Sequence, residues 1–514
     1  MGTPRVRLTP LGSLYQVQGS IWQIQQGRGN LLTDIGTNMH ATSRLFPGGS
    51  RIRDNRGIDD ALRLNLLPHV DGIYREDAIV DSSILEEAED VDPTDLLGTH
   101  KHEDHLGQLH ALHPSIRVHV SRAAAGSLHA AHVCGQGLKS ETTHYTERRP
   151  HPTERGILER PRNGEVLARP LQLVDGPPTD AMLAMWRAAG SDAGLSQSDM
   201  IAGGIPFRAH GVDHSVFGAV AYELLTAQGP VLHMGDLRLH GSMGHLTERL
   251  ISHAEKNRPR LMLLEGTRLG REGEPEVTER ACAATISKLV KGAGRRLVVA
   301  CVGPNHLERL GAFLGAAQRS KRRLVVSPRT MVLLEAMGAA DPYYDMSRQP
   351  GLALYDPPMS ARPRWHKELR ERNQHRLIPP EEISKDARRF VLLRAHLSNN
   401  DLLDVKPHGA LLVYSSSAAY SDHARSEHAA LGLWAQMFGM ETEGIAFSGS
   451  RCDYDPRLNP SGHLSHEDIV EVVDRVRPEI LVPHHCAQPE MFKDIAPKGV
   501  RVVIPEVGRT ITLR

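Results

Sequence analysis

The stretch "GTHKHEDHLGQLHAL" (98–112) places His100, His102, Asp104 and His105 within six consecutive positions. Neutral imidazole and carboxylate are borderline ligands that suit a first-row divalent metal, zinc above all. A tight run on a loop after a strand fans its side chains in several directions, so one segment can serve two adjacent ions. The plainer reading is a polar loop with incidental histidines. That reading serves for one histidine and fails for four ligand-type residues in this register. Zinc takes about four ligands, so the run also needs partners from elsewhere in the chain. "VDHSVFGAVAYELLTAQGPVLHMGD" offers His214 and Asp236, each at a strand edge, and "VPHHCAQPE" ends a strand on His484 and His485. Together they complete two ligand sets, provided that distant parts of the chain meet.

The chain is long enough for that. At 514 residues it exceeds one compact core, and two or three domains are expected. Lys+Arg and Asp+Glu are both 61, which excludes a globally basic nucleic-acid binder but not a local basic groove. Aromatics make up only 4%, too few for wide base-stacking platforms. The five cysteines are scattered without a C-x-x-C pair, which argues against a disulfide framework or a Cys-rich zinc module. No signal-type leader and no apolar run of about 20 residues is evident. A cytoplasmic location and no membrane partner are therefore expected.

The opening, "LYQVQGSIWQIQQGRGNLLTDIG", reads as short strands and turns. From 141 to 205 the pattern weakens into polar, proline-marked sequence, expected to be an insertion or long loop. "GAVAYELLTAQGPVLHMGD" reads as two strands joined at Gly-Pro. From about 290 the order becomes β-α-β-α. "RRLVVAC" and "RRLVVSP" are buried strands, and Leu307, Leu310, Phe313, Leu314 and Ala317 recur at helical spacing. That order implies a parallel sheet with covering helices. Ile469, Val472, Val473 and Val476 mark a later helix, stopped by Pro478 before the strand "EILVPHH".

The order of motifs resembles the metallo-β-lactamase fold, in its β-CASP branch of nucleic-acid-cleaving enzymes and nearest to the ribonuclease J family. "LLTDIG" is similar to the first motif, with Asp34; "HKHEDH" to the second; "DHS" and "HMGD" to the third and fourth. "LMLLEGT" resembles the acidic β-CASP motif with Glu265, "PSGHLS" the motif carrying His463, and "VPHHC" the last, whose proline spacing favours His485 over His484. The resemblance implies an α/β fold: an αββα sandwich formed by residues 1–275 and 441–514, with a β-CASP α/β domain inserted at 276–440. It implies one zinc on His100, His102, His214 and Asp236, and another on Asp104, His105, Asp236 and His485, with manganese the alternative metal. A hydroxide generated between two such ions would attack a phosphodiester. Asp34 would support a ligand from behind, and Glu265 would do so near Asp236. Asp104, Asp34, Glu265 and His463 form the implied catalytic group.

The implied substrate is RNA, cleaved endo- or 5'–3' exonucleolytically, and a homodimer is the assembly considered. A DNA nuclease and a hydrolase of a small ester, lactone or thioester remain the alternatives. Ser461-Gly462-His463 stands on a turn before a helix. His463 there can steady a phosphate or protonate the leaving oxygen, and the plainer reading is a helix cap. Ser415 and Ser416, in "VYSSSAAYSDH", are candidates for phosphate contact or for a simple turn. The basic runs "SKRR" (320–323) and "RWHKELRERNQHR" (364–376) can line an RNA channel or face solvent. The gap between His105 and His214 is longer than in ribonuclease J, and the chain stops soon after the last motif.

Overall fold

The computed structural model describes residues 4–14, 19–46, 51–274, 276–419, 422–449 and 451–514. It is a mixed α/β protein with three large sheets. The eight-stranded first sheet runs in the order Leu195–Gln197, Leu171–Leu173, Arg117–Val120, Asp95–Leu97, Gly29–Thr33, Trp22–Gln26, Val6–Pro10 and Ile511–Leu513. The seven-stranded second sheet runs Ile201–Ala202, Ile205–Gly211, Val220–Thr226, Gly229–His233, Leu261–Glu265, Ile480–His484 and Arg501–Val502. The first sheet joins strands from both ends of the chain, and the second joins strands from before and after the segment that forms the third sheet. Val6–Pro10 pairs with Ile511–Leu513, and Leu261–Glu265 lies parallel to Ile480–His484.

Period-two alternation sends one face of each strand to a shared interior. Trp22, Ile24, Leu31 and Leu97 of the first sheet pack there against Tyr222, Leu224, Val231, Leu263 and Val482 of the second. The outer face of the second sheet buries Leu232, Met262 and Leu481 beneath Leu250 and Ile251 of helix Gly244–Asn257 and Ile469 and Val473 of helix His466–Val476. The outer face of the first is covered by helices that include Arg122–Cys134 and Asp180–Ala189.

The third sheet is parallel throughout, in the order Leu377–Ile378, Leu352–Tyr355, Arg323–Val326, Phe390–Leu393, Val298–Cys301, Leu411–Tyr414 and Glu441–Glu443. The β-α-β-α expectation holds: the apolar spacing after 306 forms helix Leu307–Arg319, and Pro328–Ala340 follows. The sheet's last strand lies past the boundary expected at 440. Helix Arg122–Cys134 packs against Pro328–Ala340, tying this sheet to the first. Gly126 permits the approach, since a Cβ there would sit 2.9 Å from the Ala336 carbonyl oxygen.

Two expectations are corrected. Residues 141–205 are not one loop. They hold helix Asp180–Ala189 and two strands, Leu171–Leu173 and Leu195–Gln197, that extend the first sheet in parallel. Short strands hidden among polar residues give too little alternation to be read. The turn in "LLTAQGPVLH" falls at Ala227–Gln228, not at Gly-Pro: Gly229, with φ +103°, pairs with Thr226 and opens the next strand. Among the described residues, no helix is long and apolar enough to cross a membrane.

Candidate metal centre

The site stands where strands of the first two sheets end. Asp34 follows Gly29–Thr33, the His100–His105 run follows Asp95–Leu97, and His214 follows Ile205–Gly211. Asp236 follows Gly229–His233, Glu265 closes Leu261–Glu265, and His485 follows Ile480–His484. These strands run the same way within each sheet, so their carboxyl ends, and the loops there, collect at one edge. That is where α/β folds place their ligands.

His100 Nε2 and His214 Nε2 each lie 3.0 Å from His102 Nδ1. Beside this triad stands a second, of Asp104, His105 and His485, in which His485 Nε2 is 3.1 Å from Asp104 Oδ2. Asp236 lies between them. Its Oδ2 is 3.7 Å from His100 Nε2, 3.9 Å from His214 Nε2 and 3.2 Å from His105 Nε2, and its Oδ1 is 3.8 Å from His485 Nδ1. These His, Asp and Glu groups can hold metal ions. Two buried atoms support that reading: His105 Nε2 and Asp236 Oδ1 have no aligned hydrogen-bond partner within the protein. A buried polar atom without a partner is costly, and a cation would satisfy both.

Protonation agrees. Burial pushes His102 down to about 4, and burial holds His100 and His214 well below the ordinary imidazole range. All three therefore offer lone pairs. Burial alone would raise Asp236, yet His485, His105 and His463 around it hold it well below the carboxylate range.

The supporting shell is dense. Asp34, at φ +56°, turns its carboxylate back into the site. Its Oδ1 accepts from the Thr99 N–H at 2.7 Å, and its Oδ2 lies 2.8 Å from His105 Nδ1. His105 thus presents Nε2 to the centre, as expected of a residue supporting a ligand from behind. His214 donates from Nδ1 to the Gly462 carbonyl at 2.6 Å, and His485 Nδ1 lies 3.0 Å from Thr267 Oγ1. His484 turns away, its Nδ1 accepting from Trp22 Nε1 at 3.1 Å, which leaves His485 as the residue facing the cluster. Thr99, Thr267 and Gly462 were not singled out from the sequence. All three lie inside or beside motifs that were, and only contact distances distinguish them.

Glu265 does something other than expected. Its carboxylate faces His463 Nδ1 at 3.0 and 3.1 Å and accepts the Leu237 N–H at 3.3 Å, rather than orienting a metal-facing ring. Burial opposes charge on His463, but Glu265 and then Asp236 prevail and raise it to about 9. The His463 side chain is 21% exposed, against 0–2% for His105, His214 and His485. The cap of helix His466–Val476 is Ser465, in a capping box with Asp468, so the Ser461–His463 turn is not the cap. Ser461 Oγ instead accepts the His463 N–H at 3.2 Å.

The phosphate role expected for Ser415 is corrected. Its side chain is fully buried, and Oγ accepts from Arg309 Nη1 at 2.7 Å and donates to the Leu458 carbonyl at 2.6 Å. Ser416 is partly buried and donates its N–H to Asn459 Oδ1. Residues 420 and 421 of the same serine-rich stretch lie outside the described residues. The basic runs are engaged as well. Arg322 donates to the Gly294 and Arg296 carbonyls, while Arg370 pairs with Asp356 and Arg372 with Glu335.

No protein-family model matches the chain, and no curated protein matches it in sequence. Its fold has a solved counterpart. The chain is similar to a protein of unknown function from Enterococcus faecalis V583, with 19% sequence identity and a TM-score of 0.67. The likeness covers 99% of this chain and 100% of that one, so one architecture spans the two sandwiched sheets and the parallel sheet together. At that identity it speaks for the fold alone.

Proposed function

We propose that this protein is a metal-dependent hydrolase of RNA phosphodiester bonds, built on a metallo-β-lactamase sandwich with a β-CASP insertion. The observation that carries the reading is the pair of ligand triads about Asp236, with the Glu265–His463 pair beside them. Face-to-face sheets with outer helices, and a parallel sheet inserted between the chain's two contributions, support the fold assignment. His100, His102 and His214 would hold one divalent ion, Asp104, His105 and His485 the other, and Asp236 would reach both. Two such ions would supply Lewis-acid charge and lower the pKa of a water.

The chain's own residues supply the rest. Asp34 and Thr267 set the ring orientation of His105 and His485. His463, charged and partly open, is poised to donate a proton to the departing oxygen of the substrate. Glu265 accepts the hydrogen bond from Nδ1 and favours the charged ring, leaving the Nε2 proton as the one to be donated. Few aromatics leave backbone contacts and shape to hold the strand.

Purified protein should cleave labelled RNA in the presence of zinc or manganese, faster than single-stranded DNA of equal sequence and faster than a generic aryl ester. Preferential cleavage of the DNA or the ester would overturn the RNA assignment. No cleavage of any of the three with either metal would overturn the hydrolase reading.

A further inference from the structure

A second group of ligand-type side chains meets on the outer face of the second sheet. His210 lies on strand Ile205–Gly211, Glu223 on the paired strand Val220–Thr226, and His253 near the end of helix Gly244–Asn257. The register explains the meeting. Arg208 pairs with Glu223 and His210 with Ala221, so all four point away from the inter-sheet core that takes Phe207, Tyr222 and Leu224. Helix Gly244–Asn257 crosses that outer face and brings His253 over it.

The distances are those of a chelate. His253 Nε2 is 3.1 Å and His210 Nε2 3.4 Å from Glu223 Oε2, and one ligand atom from each residue lies within 4.8 Å of the others. Zinc bonds of about 2.0–2.1 Å put tetrahedral ligand atoms roughly 3.3 Å apart. Glu223 is 5% exposed and the two histidines 20% and 29%, so the carboxylate forms the floor and solvent keeps access from above. An ion there would keep an open position for water.

Two neighbours bear on the site. Arg208 Nη1 lies 3.1 Å from Glu223 Oε2, but its side chain is 55% exposed, and an ion pair so open to water is worth little. A cation would displace it. The Asn257 side-chain nitrogen is 3.2 Å from His253 Nδ1. The same nitrogen donates to the His253 carbonyl at 2.8 Å, so Asn257 anchors the helix end beside the ring.

We propose that His210, Glu223 and His253 form a separate binding site for a zinc-class divalent ion, which fastens the end of helix Gly244–Asn257 to the strand pair beneath it. The site is independent of the chemistry assigned to the Asp236 cluster. That helix follows directly on the loop carrying Asp236 and Arg238, so the ion would brace the outer wall of the centre.

The test uses zinc alone. Wild type, His210→Ala/His253→Ala, Asp236→Asn, and Asp236→Asn combined with the double change are dialysed against micromolar free zinc and their content measured. The double change should remove one ion in both backgrounds and abolish part of the zinc-induced rise in Tm. Equal zinc content with and without it, in either background, overturns the proposal. Should the double variant fail to fold, anomalous scattering at the zinc edge from wild-type crystals decides. A peak between the three residues is expected, and peaks at the Asp236 cluster only would refute the site.

Discussion

His463 and His485 stand on adjacent loops with nearly parallel rings, yet their surroundings assign them different work. His463 has Glu265 behind it and an open face, while His485 is wedged between Asp104 and Thr267 with almost no exposure. Replacing His463 with alanine should cost ~10²–10⁴ in kcat, the usual worth of a general acid, with metal content unchanged. Replacing His485 should lower metal content, because the second triad loses a ligand. Elemental analysis beside single-turnover RNA cleavage separates the two. Loss of metal from His463→Ala would make it a ligand instead. Glu265→Gln should follow His463→Ala in kcat while leaving KM and metal content close to wild type.

Arg238 joins elements that the chain order keeps apart. Fully buried, it reaches Asp213 at 3.3 Å, Glu279 of helix Glu279–Gly292 at 2.7 Å and Glu308 of helix Leu307–Arg319 at 2.7 Å. Its Nη1 also donates to the Ser461 carbonyl at 3.4 Å. Asp213 precedes His214 and Ser461 precedes the His463 turn, so one guanidinium ties the metal-facing loops to the helices of the third sheet. Arg309 extends the network from Glu279 to Ser415. Removing the cation leaves the buried Asp213 carboxylate without its counter-charge, while Glu279 keeps Arg309. Arg238→Met should therefore cost about 3–5 kcal/mol in urea unfolding. It should also weaken zinc binding, since Asp213 is no longer held. Glu308→Gln, at a side chain 15% exposed, should be much milder. Equal unfolding midpoints for Arg238→Met and wild type would show that the network contributes nothing.

At the scale of the molecule, buried histidines among the 29 contribute to the response to acid. Burial, helped by Lys139 and nearby arginines, pushes His110 down to about 3. Burial and its neighbours His144 and His132 do the same to His129, which stacks on Trp186 at 4.2 Å. His132 is held at about 4 by burial first and His144 second. These rings stay neutral in the folded chain and titrate near 6.5 when it unfolds. Below pH 6.5 the unfolded state therefore binds more protons, and stability falls with pH until the folded values are reached. Each such ring costs about 1.4 kcal/mol per pH unit in that window. Urea midpoints should drop steadily from pH 6 to 4. A flat profile down to pH 4 would show that these rings are not buried neutral. Chelation should lower Tm at pH 7.5, because an ion that binds only the folded state stabilises it.

Much of the centre was legible in the residues themselves. The H-x-H-x-D-H run, His214, Asp236 and the His484–His485 pair carry metal-ligand chemistry in their side-chain types, while Asp34 is indicated by the resemblance alone. The β-α-β-α order after 290 was legible too: strands buried on both faces and helices with one apolar stripe have distinct periods. What the chain could not reveal locally depends on contacts between distant segments. The resemblance favours His485 over His484, but the physical reason, Trp22 and Ser20 holding the other ring, lies some 460 positions away. The work of Glu265 rests on His463, which the parallel pairing of Leu261–Glu265 with Ile480–His484 and the helix before it bring alongside. Ser415 reads as a phosphate contact or a simple turn, and only Arg309, from helix Leu307–Arg319, shows it as a buried partner. The strands within 141–205 exist because a sheet edge waits for them: two or three residues gain a ladder and a covered face only in that place. Side-chain chemistry and periodicity are properties of the local chain, whereas orientation, burial and partnership are properties of the surfaces that meet it.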